Sequence, residues 1–96
     1  MGQPIVVRQQ ASSNPGIVRF ETNRAFTGMG HERYASLEQA VGNRPPDELA
    51  RRLFEHGGVE AVHLNGNVVT VHLAEGASGE GLAEIIEQLY LFYPDV

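Results

Sequence analysis

Asn65-Gly66 stands between two apolar-rich runs, VEAVHL (59–64) and NVVTVHL (67–73), and this stretch limits the fold more tightly than any other. An Asn-Gly pair flanked by alternating hydrophobics predicts a type I′ β-hairpin, because both central residues tolerate φ > 0. With a two-residue turn, Leu64 lies opposite Asn67 and His63 opposite Val68. One face then carries Val62, Leu64, Val69, Val71 and Leu73, and the other carries Val59, Ala61, His63, Val68, Thr70 and His72. The first is the expected core side.

The remaining segments are ones that can pair with this hairpin or cover it. IVVR (5–8) and Ile17–Thr22 predict a first hairpin, joined by turn chemistry over residues 9–16, with Val18 and Phe20 on one face. Residues 25–35, AFTGMGHERYA, show little periodicity and predict a loop with at most one short strand near Tyr34. Ser36 to Gln39 has the spacing of a capping box and predicts a short helical turn, stopped by Pro45-Pro46. From Pro46, with Asp47 and Glu48 in the first turn, Leu49, Ala50, Leu53 and Phe54 form the stripe of an amphipathic helix. Gly57 or Gly58 ends it. A last helix is expected from about Gly79 to Phe92, capped by Ser78 and ended by Pro94. Its apolar stripe is Leu82, Ile85, Ile86 and Leu89, continued by Phe92 or Tyr93, and Glu80, Glu84, Glu87 and Gln88 lie opposite. This order predicts an α+β fold, a two-layer sandwich of a mainly antiparallel sheet with two helices on one face. The 96 residues suit a single domain.

The charges are unevenly placed. Residues 1–52 hold seven arginines against five acids, a net of +2, whereas residues 53–96 hold seven acids and no base, a net of −7. An acidic half repels phosphate backbones, so nucleic acid is not an expected partner. The chain has no cysteine, which excludes disulfides and thiolate chemistry, and no lysine, which excludes a Schiff base or P-loop. No apolar run approaches the roughly 18 residues of a membrane span, and the start MGQPIVVRQQ lacks a signal-peptide pattern, so a cytoplasmic setting without membrane contact is expected.

Three of the four histidines fall in LFEHGGVEAVHLNGNVVTVHL (53–73). In the hairpin above, His63 and His72 share a face but stand four residues apart, roughly 13 Å at about 3.3 Å per residue. That is too far for one metal ion. His56 suits the C-terminal end of the first helix, and His31 falls in the 25–35 loop. GASGEG (76–81) departs from a nucleophile elbow at Glu80, and GMGHER (28–33) and GEGLAE (79–84) lack the third glycine of a dinucleotide fingerprint. No catalytic, cofactor-binding or metal-binding residue is therefore assigned. The expected partner-binding residues are Glu80, Glu84 and Glu87 on the last helix, together with His31.

Asn14-Pro15-Gly16-Ile17-Val18-Arg19-Phe20 resembles the N-P-x-x-hydrophobic-basic-F opening of NifU-like N-terminal domains. The stretch PPDELARRLFEHGGVEAVHLNGNVVTVHL (45–73) resembles further elements of that family at Pro46, Leu49, Ala50, Leu53, Phe54, Gly58, Val59, Val62, Thr70 and Val71. With the last helix, the resemblance spans residues 14 to about 92. It implies an α+β domain that, in longer relatives, precedes a cysteine-bearing domain carrying an iron–sulfur cluster. That C-x-x-C domain is missing from this sequence, so the resemblance implies an accessory or partner-binding role in iron–sulfur cluster assembly. The cluster enters only through scaffold or recipient proteins. A metal carrier using His and Glu and a small enzyme built on the 25–35 loop are the competing readings.

Overall fold

The computed structural model describes residues 6–10, 14–27 and 30–89. The elements are β1 (Val7–Gln10), β2 (Ile17–Thr22), β3 (His31–Tyr34), a 3₁₀ turn (Leu37–Gln39), α1 (Pro45–His56), β4 (Val59–Asn65), β5 (Val68–Leu73) and α2 (Leu82–Glu87). Five strands form one sheet in the order β1-β2-β5-β4-β3, and every neighbouring pair is antiparallel. The two local hairpins join through β2 and β5, with Phe20 opposite Val69 and Val18 opposite Val71. Both helices cover the same side. Leu49, Leu53, Leu82, Ile86 and Leu89 close over Val18, Phe20, Val62, Leu64, Val69 and Val71 to form one core. The fold is α+β as expected, and no described element covers the opposite face of the sheet.

The main hairpin differs from its expected register. Asn65 pairs with Val68, so the tight turn is Gly66-Asn67 and each β4 residue meets a partner two positions later than expected. Gly66 adopts φ 59°, whereas no non-glycine residue among the described residues has positive φ. A glycine at the first central position and negative φ at the second is the type II′ pattern, in place of the I′ turn that Asn-Gly predicts. Tertiary contacts hold the turn there. Thr22 N donates to Asn67 O (2.9 Å), Asn67 Nδ2 donates to Thr22 O (2.8 Å), and Gly66 N donates to Thr27 Oγ1 (2.7 Å). A shift of two residues preserves side-chain parity, so the core face comes out as expected. Val59 is the exception, because a bulge between Val59 and Ala61 turns it onto the core side.

The short strand expected near Tyr34 is His31–Tyr34, four residues paired with β4, and it takes in His31, which was expected in the loop. Segment 74–89 departs from expectation. The last helix begins at Leu82, three residues later than Gly79, because Gly81 at its N-cap is left-handed (φ 88°) and breaks the preceding turn. Ser78 does not cap it; its Oγ accepts from Glu80 N at 3.4 Å in the loop ahead. The expected continuation to Phe92, Tyr93 and Pro94, and the expected first-strand residue Ile5, lie outside the described residues.

A buried carboxylate ties edge strand β3 to α1. Asp47, only 4% exposed, accepts from the Tyr34 hydroxyl (2.6 Å), from Arg44 Nε (3.0 Å) and Nη2 (3.1 Å), and from the Arg44 backbone N–H (3.3 Å). Arg44 also grips Glu32 on β3 with two hydrogen bonds of 3.1 Å. Burial raises the Asp47 carboxyl, but the Arg44 and Tyr34 hydrogen bonds outweigh it and the net shift is downward. Burial and then the Asp47 hydrogen bond push the Tyr34 hydroxyl up, so it stays a donor. Gly42 leaves the space this requires, since a Cβ there would collide with the Asp47 carboxylate.

Tyr34→Phe is expected to cost about 1.5–3 kcal/mol, the range for a hydrogen bond to a charged group, read from urea denaturation. Gly42→Ala displaces the same carboxylate, so the double variant should lose less than the sum of the singles. Additive losses would show that Gly42 and Tyr34 do not act through Asp47.

Candidate functional site

Strand parity sorts the polar residues onto the uncovered side of the sheet. Reading across from β1, that side presents Arg8 and Gln10, then Ile17, Arg19 and Glu21, then Val68, Thr70 and His72 on β5. It continues with Ala61, His63 and Asn65 on β4 and ends with His31 and Arg33 on β3. Three arginines stand there against one glutamate. The ion pairs of Arg44, Arg51 and Arg52 lie elsewhere, with Glu32, Asp47 and Glu48. A chain of formal net charge −5 thus carries a basic sheet face.

The histidines form a diagonal row across this face. His31 lies opposite Asn65, His63 opposite Arg33 on one side and Thr70 on the other, and His72 opposite Ala61. His63 and His72 are therefore diagonal neighbours, about 7–8 Å apart by ordinary sheet geometry, and not four residues distant as the expected register implied. His31, expected in a loop, sits on β3, and its Nδ1 is 2.8 Å from His63 Nε2. One of these nitrogens donates and the other accepts, so the hydrogen bond requires at least one neutral ring. Beside them a shallow cleft of ≈460 Å³ is bordered by Arg33, Ala61, His63 and His72. The small side chain of Ala61 leaves the gap between the larger ones.

The acidic residues do not form the single helix face expected of them. Glu80 precedes the left-handed Gly81 and borders a different cleft, of ≈410 Å³, with Gln9, Gln10 and Pro15. Glu84 and Glu87 are on α2, away from the histidine row. His56 is exposed at the end of α1, its Nδ1 3.1 Å from Gly57 O and its Nε2 against Gly81. Among the described residues, no group of three or more His, Cys, Asp or Glu is arranged to hold a metal ion, and no helix is long and apolar enough to cross a membrane. Iron–sulfur clusters are held chiefly by cysteine thiolates, and these 96 residues contain none, so the residues present do not fit a cluster.

Burial, then the charge of Arg33 and the neighbouring His31 and His72, hold the His63 imidazole below its ordinary value. On acidification the unfolded chain takes up this proton first, below about pH 6.5. The His63 contribution to stability is therefore complete above that pH and is lost as pH falls toward the folded value. The urea midpoint should fall between about pH 7 and about pH 5, and His63→Gln should flatten part of that slope. Equal slopes in both proteins would exclude His63 as a source.

A family model described as scaffold protein Nfu/NifU N terminal matches residues 7–92. No curated protein sequence matches the chain. Among solved structures, the crystal structure of SAV1430 from Staphylococcus aureus is similar, with a TM-score of 0.67 and 14% identity over 92% of this chain and 99% of that one. The solution NMR structure of SAV1430 gives a TM-score of 0.65 and 13% identity over 98% of this chain and 97% of that one. At such identities the likeness establishes the shared fold. The family match, covering both hairpins and both helices, is the more informative finding: the chain belongs to the Nfu/NifU scaffold N-terminal family.

Proposed function

We propose that this domain is a partner-binding module of iron–sulfur cluster assembly, supplying a docking surface rather than cluster ligands, and that the surface is the uncovered side of the sheet. The family is of the scaffold type rather than an enzyme family, which supports a role exercised through protein contacts. The absence of any thiolate supports placing the cluster on the partner. The observation that carries the choice of surface is the basic face itself, with Arg8, Arg19 and Arg33 flanking the histidine row and Glu21 as the one acid among the described residues that the strand register places with them. Such a face selects an acidic segment of a scaffold or recipient protein, and charge complementarity speeds encounter and orients docking. His31 belongs to this surface. Glu80, Glu84 and Glu87 are the alternative, suited to a basic partner.

The test is an anaerobic NMR titration of labelled protein with a cluster-loaded C-x-x-C domain, repeated with Arg19→Glu/Arg33→Glu and with Glu84→Lys/Glu87→Lys. The sheet variant is expected to weaken binding about tenfold or more and the helix variant to change it little, with affinity falling as salt rises. Loss only in the helix variant would move the surface to α2. No shifts at high concentration of several such domains would remove the cluster-assembly reading.

A further inference from the structure

Besides its charge, the sheet face carries a close contact between two histidines, His31 and His63. We infer that His31 and His63 form a two-histidine site for a divalent transition-metal ion of the Cu²⁺ or Ni²⁺ kind, with water in the remaining coordination positions. This inference does not depend on any partner.

A diagonal pair on adjacent strands brings long side chains within reach, and here it brings His31 Nδ1 to 2.8 Å from His63 Nε2. Two nitrogens at that separation, each 2.0–2.1 Å from a shared ion, subtend about 86° at it. That is close to the cis angle of a square-planar or octahedral ion, whereas a tetrahedral ion would spread them to about 3.3 Å. Imidazole suits copper and nickel among divalent ions, and copper stands highest in the general affinity order. The ring centroids are 5.0 Å apart and the rings tilted by 51°, so the facing nitrogens are nearly in line. A shared ion lies to one side of that line, so both rings must swing toward it. His31 is exposed and His63 is half-buried beside the cleft at Ala61, so neither ring is enclosed, while the backbone pairing of β3 and β4 keeps the two residues together.

The surroundings set the limits of the site. Because no third ligand of the described residues converges on the pair, water completes the shell and the ion stays open to solvent. Arg33 lies directly across from His63 and repels a bound cation. Protons compete for the same nitrogens, so binding weakens under mildly acidic conditions.

The test is calorimetric titration of tag-free, chelator-treated protein with Cu²⁺, Ni²⁺ and Zn²⁺, with NMR of the histidine rings. One Cu²⁺ or Ni²⁺ ion per chain is expected, and substoichiometric Cu²⁺ should broaden the His31 and His63 signals before those of His56. His31→Ala and His63→Ala should each weaken binding about tenfold or more, since a single imidazole then remains. His31→Gln, which keeps the side chain polar on the edge strand, should do the same with the backbone spectrum unchanged. Arg33→Gln should tighten binding, a gain that a merely structural role for His31 does not produce. Broadening centred on His56 or the acidic residues, unchanged affinity in the folded His31 variants, absence of binding at millimolar metal, or Zn²⁺ held more tightly than Cu²⁺ would each overturn the inference.

Discussion

The Asp47 carboxylate is the contact on which the arrangement of this domain depends most. Taking a charge out of water is costly unless its oxygens are fully paired, and here they are met by Tyr34, by the Arg44 guanidinium and by the backbone N–H of Arg44 at the helix N-cap. The pairing works in two directions. It caps α1, as an acidic residue in the first turn does, and it fastens a four-residue edge strand to the helix that lies over its neighbour. Arg44 extends the tie outward to Glu32. Through β3 the same carboxylate positions His31 and Arg33, although neither touches it.

Segregation of charge between the two layers is the second consequence. The sequence is acidic as a whole, and its C-terminal half lacks basic residues altogether. Antiparallel pairing nevertheless draws Arg8, Arg19 and Arg33 from three separate strands onto one side of the sheet. Glu84 and Glu87 ride on α2 in the other layer. Net charge therefore describes this surface poorly. The chain belongs to a scaffold family and contains no thiolate, and the sheet face is where Arg8, Arg19, Arg33 and three of the histidines gather.

Locally encoded features were legible in the sequence. Alternation in VEAVHL and NVVTVHL and the stripe Leu49, Ala50, Leu53 mark burial directly, and Val62, Leu64, Val69 and Val71 are fully buried as that pattern requires. Features set by distant partners were not. A short strand near Tyr34 was expected, but its reach back to His31 was not, because HERY has no apolar run and is held by pairing with β4 and by the Asp47 carboxylate that Tyr34 meets. Asn-Gly favours a turn at its own two positions, yet Thr22 and Thr27 hold the turn one residue later. That displacement altered the distance between His63 and His72 without changing which face they share.

What the sequence alone determined was which strand and helix faces are buried, where the two hairpins and the first helix lie, and that no thiolate chemistry is available, because periodicity and composition act over short stretches of chain. The tertiary structure decided which exposed residues are neighbours. Whether His31 meets His63, whether three scattered arginines share a face and whether Glu80 joins Glu84 on a helix all turn on strand order, register and the backbone of Gly81. Those are settled by pairing between segments far apart in the chain, and a one-dimensional pattern carries no measure of such distances.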